Sequence, residues 1–107
     1  MRVDKDNKLY EEFHEKVARE LIETIYSQIS EIEGIDPDIV ESITSNLAFS
    51  VGTIIDGSRV MDNEGRQVLP YLAFSESAKE RKNLIVSDTG SYIHEMIFGL
   101  LDDMDLE

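Results

Sequence analysis

The sequence predicts an α+β fold with two N-terminal antiparallel helices, a small antiparallel β-meander and a C-terminal helix. Three apolar stripes at helical spacing predict the helices, and short apolar segments bounded by turn residues predict the strands. An all-α bundle is the alternative, because residues 69–82 also fit a helical pattern. The length of 107 residues fits a single domain, 1–107, in which we expect residues 1–8 and 103–107 to fray.

The first helix is predicted over residues 9–32. Its apolar side chains recur every four residues and form one stripe, which a second set of apolar residues widens. Gly34 then ends the helix. The stripe consists of Phe13, Val17, Leu21, Ile25 and Ile29, widened by Tyr10, Ala18, Ile22 and Ile32.

The second helix starts at Asp36-Pro37-Asp38, which supplies a capping residue, a proline at the first helical position and an acid in the first turn. It ends at Asp56-Gly57, where a glycine follows the last helical turn. Its main apolar stripe consists of Ile39, Ile43, Leu47, Val51 and Ile54.

This second helix is apolar on more than one side. Residues 42–55 carry no charge, and Phe49 points almost opposite the main stripe. Such a helix is either central in the core of its own chain or shared with another subunit. Ser45, Ala48 and Gly52 lie along one side and are small enough for a neighbouring helix to approach closely. We therefore name Phe49 and Gly52 as candidate interaction residues in a homodimer.

The middle of the chain predicts strands. A turn at residues 63–65 separates strands at 59–61 and 67–74, and residues 84–86 form a third, β-branched strand. Pro70 restricts its strand to a sheet edge or a bulge. An antiparallel meander accommodates all three strands.

The last helix is predicted from a clean apolar stripe near the end of the chain. Ser91 is placed to cap it, after a turn at residues 88–90. The stripe consists of Ile93, Ile97, Leu100, Leu101 and Met104.

The chain carries 23 acidic and 10 basic side chains, a formal charge of −13. Such a surface repels nucleic-acid phosphates and anionic lipid and attracts basic proteins, so we expect neither direct nucleic-acid binding nor membrane association. Residues 58–87 are nearly neutral, whereas residues 88–107 contain six acids and no base. Because the helix dipole disfavours acids at a helix C-terminus, the last acids are candidate interaction residues. They are Asp102, Asp103, Asp105 and Glu107.

No motif identifies a catalytic, cofactor-binding or metal-binding residue, and we expect no cofactor. The chain has no cysteine, which excludes disulfides and thiolate chemistry and favours the cytoplasm. Residues 1–6 lack the apolar run of a secretion signal, which favours the same location. His14 and His94 form a metal site only if the first and last helices bring them together with a glutamate.

Asp88-Thr89-Gly90-Ser91 follows an apolar strand and resembles the active-site loop of aspartic proteases. The resemblance implies that Asp88 shares a proton with a partner carboxylate and activates water. Those proteases are almost wholly β, whereas the residues after Ser91 are predicted to be helical. We therefore expect a strand-to-helix turn here, with one of these residues as the helix cap.

Three hypotheses from different classes follow from these patterns. The favoured one is a small acidic, non-enzymatic protein-interaction module, cytoplasmic and homodimeric, that binds a basic protein partner. The first alternative is an inhibitor or antitoxin-like protein that mimics nucleic acid with its carboxylates. The second is a small metal- or carboxylate-dependent enzyme centred on His14, His94 or Asp88.

Overall fold

The computed structural model describes residues 2–76, 83–88 and 92–104. Within these ranges, three helices and two separate two-stranded sheets form an α+β fold, as predicted, and the strands exclude the all-α alternative. The elements are, in order, β1 (Arg2–Lys5), α1 (Asn7–Ser30), α2 (Pro37–Ile55), β2 (Met61–Asn63), β3 (Arg66–Val68), β4 (Asn83–Val86) and α3 (Ile93–Asp103).

The first two helices begin at aspartate caps. The Asp6 carboxylate accepts from the backbone N–H of Leu9 at 3.0 Å, and the Asp36 carboxylate accepts from that of Asp38 at 2.8 Å. The predicted start of α2 is therefore confirmed, whereas α1 begins two residues earlier than expected. No helix in the described part of the chain is both long and apolar enough to cross a membrane.

The three helices pack against one another around small and β-branched apolar side chains. The β-branched isoleucines come from α1 and α3, and α2 contributes small residues to the same core. This composition lets the helix axes approach closely while the branched side chains fill the space between them. The buried members of the core are Ala18, Ile22, Ala48, Ile93, Ile97 and Leu100.

The buried faces of α1 and α2 are rotated by about one residue from the predicted main stripes. In α2, Ile39 and Leu47 of that stripe are exposed at 51% and 45%, and in α1 Phe13 is only partly buried. Small side chains displace the bulky stripe because they permit the closest packing of a neighbouring helix. The buried residues of α1 include Ile29 of the predicted main stripe and three residues predicted to widen it, Tyr10, Ala18 and Ile22. The full set of buried residues is Val40, Thr44, Ala48 and Gly52 in α2, and Tyr10, His14, Ala18, Ile22 and Ile29 in α1.

The strands pair only in part as the predicted meander, because Phe74 of the predicted strand 67–74 forms an isolated antiparallel bridge with Ile85 of β4. β2 and β3 form an antiparallel hairpin, and the loop residues Glu64 and Gly65 both have positive φ, the conformation that suits a two-residue turn. β4 forms where expected but pairs in parallel with β1, with Val3 opposite Leu84. Within the segment 1–8, expected to fray, the described residues 2–8 include β1 and the first two residues of α1.

Candidate functional site

α2 and α3 run antiparallel and lie in close contact at Gly52. A Cβ placed on Gly52 would lie 3.1 Å from the backbone nitrogen of His94 and 3.3 Å from Cγ2 of Ile93. One turn back along α2, the Phe49 ring packs against the rings of His94 and Phe98, with centroids 5.2 and 5.7 Å apart. The absence of a side chain at position 52 therefore sets how close the two helices lie.

Asp56, the residue after α2, carries a fully buried carboxylate that binds the start of α3. Its Oδ2 accepts from the backbone N–H of His94 at 3.1 Å and lies 2.6 Å from His94 Nδ1. Its Oδ1 accepts from the backbone N–H and the hydroxyl of Ser58, at 2.9 and 2.5 Å. Because Tyr92 makes no side-chain cap hydrogen bond, Asp56 caps α3 from another element.

Hydrogen bonding decides the charge of this buried carboxylate. Burial favours the neutral acid, but the hydrogen bonds from Ser58 and His94 prevail and lower the pKa of Asp56. With Asp56 ionised, His94 Nδ1 carries the proton that it shares with Oδ2. An aspartate–histidine pair is also part of a nucleophilic triad, in which the nucleophile faces the other ring nitrogen. The Ser58 hydroxyl instead lies 3.1 Å from Nδ1, so the cluster is arranged as a link between helices.

At the opposite end of the same helix pair, α2 and α3 diverge and leave a groove of about 420 Å³. Phe98 and Leu101 of α3 provide its apolar surface, and the Phe98 side chain is 52% exposed. Carboxylates line it from both helices. Within residues 2–76, 83–88 and 92–104, none of these carboxylates pairs with a cation. The remaining lining residues are Asp38, Glu41, Ser42, Ser45 and Asp102.

The residues predicted for interaction fall in different places. Gly52 is buried beneath α3 of the same chain, and Phe49 is half-buried beside it. Asp102 lines the groove, and Asp103 is the exposed last residue of α3. Residues 105–107, which include the predicted Asp105 and Glu107, lie outside the described residues. A homodimer and a nucleic-acid mimic both stay predictions.

His14 lies in an aromatic cluster on α1 and is buried. Its ring centroid is 4.6 Å from that of Tyr10 and 6.0 Å from that of Phe74. Burial, helped by the neighbouring Tyr71, raises the pKa of Tyr10 to about 12. The Tyr10 hydroxyl therefore stays protonated and donates to the carbonyl of Leu72.

Asp88 is exposed and belongs to a third cluster. Its carboxylate accepts from Lys5 Nζ at 2.9 Å and from Asn7 Nδ2 at 3.0 Å, and these two groups lower its pKa. Residues 89–91, the remainder of the protease-like segment, lie outside the described residues. The contacts described above for Asp88, His14 and His94 are with different residues. Among the described side chains, no group of three His, Cys, Asp or Glu residues is arranged to hold a metal ion.

The sequence contains a signal for the Asp56 cap of α3 and another for the exposed Phe98 ring, but neither signal alone identifies the role of its residue. Asp56-Gly57-Ser58 is the composition of a turn that binds its own backbone, and only the fold shows that it also binds α3. Phe98 stands outside the apolar stripe of α3, which marks it as a large exposed ring.

Comparisons found no matching protein family, no similar characterised protein and no similar solved structure.

Proposed function

We propose that this protein is a non-enzymatic interaction module that binds a basic amphipathic segment of a partner protein in the α2–α3 groove. The observation that carries the proposal is an exposed Phe98 ring surrounded by carboxylates that have no cation partner among the described residues. An apolar surface bordered by acids selects a segment with apolar residues on one face and Lys or Arg beside them.

The apolar part of the groove supplies affinity. The Phe98 ring is about half exposed, and removing the rest of its surface from water contributes about 1 kcal/mol. Leu101 lies next to it and is partly buried, so the two side chains form one continuous apolar surface. An amphipathic helix places side chains at positions i, i+3 and i+4 on such a surface.

The carboxylates supply selectivity and speed of association. Asp38 and Glu41 project from the first turns of α2, and Asp102 lies at the end of α3, so acids border the groove from both helices. A basic segment approaching this surface is attracted before contact, and an acidic one is repelled. The formal charge of −13 acts in the same direction over longer distances.

A second acidic groove makes a useful comparison. It lies between α1 and α3 and is lined by Glu11, Glu12, Glu15, Lys8 and Met96. Unlike the α2–α3 groove, it includes a lysine, and Glu15 already pairs with Arg19 at 3.7 Å. Part of its negative charge is therefore neutralised within the chain, and the α2–α3 groove is the better site for a basic partner.

The test uses the full chain and a synthetic helical peptide of about 15 residues with leucines on one face and lysines beside them. We expect binding at about 50 mM salt that weakens several-fold at about 300 mM, because salt screens exposed charges. Phe98→Ser and Asp102→Lys should each weaken binding by about tenfold, since one removes the apolar anchor and the other reverses a charge at the groove. Isothermal titration calorimetry measures both changes.

Glu12→Lys is the matched control, because it makes the same charge change in the other acidic groove. We expect it to weaken binding much less than Asp102→Lys. Equal losses from the two substitutions, or unchanged binding by Phe98→Ser, would show that the peptide responds to overall charge and not to the α2–α3 groove.

A further inference from the structure

The β2–β3 hairpin stands apart from the rest of the fold. All six residues of its two strands are exposed, and neither strand contacts another helix or strand of the described chain. Its base is joined to the described part of the fold, since Leu69 and Pro70 lie against Gly57 and the Arg59 backbone N–H donates to the carbonyl of Thr53 in α2 at 2.9 Å. A two-stranded hairpin alone is marginally stable in water and normally needs a packing partner.

Large apolar side chains of the hairpin and its flanking residues are exposed to solvent. Val60 and Leu69 are exposed at 53% and 54%, and Met61 and Val68 at 38% and 39%. The strand register places Met61 directly opposite Val68, so these two form an exposed apolar pair on one face. Apolar residues concentrated on a protruding hairpin mark an interaction surface.

Charge indicates which partner fits this surface. Residues 58–71 contain two basic and two acidic side chains, Arg59, Arg66, Asp62 and Glu64, whereas the whole chain has a charge of −13. A neutral segment offers a basic partner no net attraction. It is, however, a region where two copies of this acidic chain can meet without strong repulsion. In a two-fold contact the same patch faces itself, so acids and bases of one copy can pair with those of the other.

We propose that the β2–β3 hairpin, with Val60 and Leu69, is the contact between two copies of this chain in a symmetric homodimer. The proposal is independent of the α2–α3 groove, because no residue of the hairpin lines that groove. It also differs from a dimer formed through α2. α2 already packs against α1 and α3, whereas the hairpin has no packing partner among the described elements.

Sedimentation equilibrium of the full chain over a range of concentrations tests the proposal. We expect a concentration-dependent dimer, and the double variant Met61→Thr/Val68→Thr should raise its dissociation constant by about tenfold or more. Threonine keeps the strand preference while removing apolar surface. Because both side chains are exposed in one copy, the far-ultraviolet circular dichroism spectrum should not change.

Ile39→Thr/Leu47→Thr is the matched control, since it removes two similarly exposed apolar side chains from α2. It should leave the dimer intact. Arg66→Glu should weaken the dimer at low salt without removing apolar surface, because it gives the hairpin the sign of the rest of the chain. A chain that stays monomeric at high concentration, or a dimer that only the α2 variant dissociates, overturns the proposal.

Salt separates this proposal from the proposed function. Screening reduces the repulsion between two acidic chains, so added salt should strengthen the dimer, whereas it weakens binding of the basic peptide. The hairpin variant should bind the peptide as the unmodified chain does. A dimer that forms while the unmodified chain does not bind the peptide contradicts the proposed function alone. A monomer that binds the peptide contradicts the dimer proposal alone.

Discussion

The two ends of the α2–α3 contact have opposite characters. At one end, Gly52 lets the helices touch and the buried Asp56 carboxylate joins the end of α2 to His94 at the start of α3. At the other end, the helices part around an exposed Phe98 ring and acids that have no cation partner among the described residues. The closed end satisfies the polar groups of Asp56 within the chain, whereas the open end is the proposed site for a basic partner. Stability and binding should therefore respond to substitutions at different ends.

The largest expected effect comes from filling the closed end. Gly52→Val would place side-chain atoms where the backbone of His94 and the Ile93 side chain already lie, so the helices must separate. We expect a loss of about 2–3 kcal/mol in the free energy of unfolding, as for other overpacked cores. Urea denaturation followed by circular dichroism measures this loss.

Gly99→Val in α3 is the matched control. A Cβ placed on Gly99 meets nothing within 4 Å, and the higher helix propensity of valine should change the free energy of unfolding by less than about 0.5 kcal/mol, in the stabilising direction. If both glycine substitutions had equal effects, helix propensity rather than the close approach of α2 and α3 would explain the result.

The second effect concerns the charge of Asp56. Asp56→Asn keeps the shape of the side chain but removes the negative charge that binds His94 and Ser58, and we expect a loss of about 2 kcal/mol at neutral pH. Because folding lowers the pKa of Asp56, the carboxylate stabilises the fold fully above its ordinary pKa of 3.8. That contribution is lost as the pH falls through the folded-state pKa. The difference between the two proteins should therefore shrink below about pH 4, as measured by unfolding at several pH values.

Asp88→Asn controls for a general acid effect. The Asp88 pKa is lowered too, by Lys5 and Asn7, but the group is exposed and its ion pair is screened by solvent. Asp88→Asn should therefore lower the free energy of unfolding far less than Asp56→Asn does. Should both variants lose the same stability and the same pH dependence, Asp56 would have no special role as the cap of α3.

The sequence predicts the helices well because their signals are local. Asp36-Pro37 marks the start of α2, and Asp56-Gly57 marks its end, as the structure confirms. Likewise, residues 63–65 predict the turn of the hairpin, because positive φ at Gly65 suits a tight turn. Such capping and turn preferences depend on a few neighbouring residues and need no knowledge of the rest of the fold.

Most of the long-range pairing is not predicted by the sequence, although the antiparallel bridge between Phe74 and Ile85 agrees with the predicted meander. α2 has two apolar faces, and periodicity alone cannot show that the face with Gly52 is buried while Leu47 remains exposed. β1 contains three charged residues in four, and it forms a strand only because β4 lies beside it. The link from Asp56 to His94 is unpredictable for the same reason, since it joins residues that only the helix packing brings together.

The smallest expected change in stability comes from the open end. Phe98→Ser removes a ring that is half exposed and whose described ring contact is with Phe49, so the free energy of unfolding should fall by less than about 1 kcal/mol. The same variant should lose about tenfold in peptide affinity, because the proposed binding mode uses this ring as the apolar anchor of the groove. Urea denaturation and calorimetry on one preparation measure both quantities. A loss of stability as large as that of Gly52→Val would mean that Phe98 supports the core, and the contrast between the two ends of the contact would no longer hold.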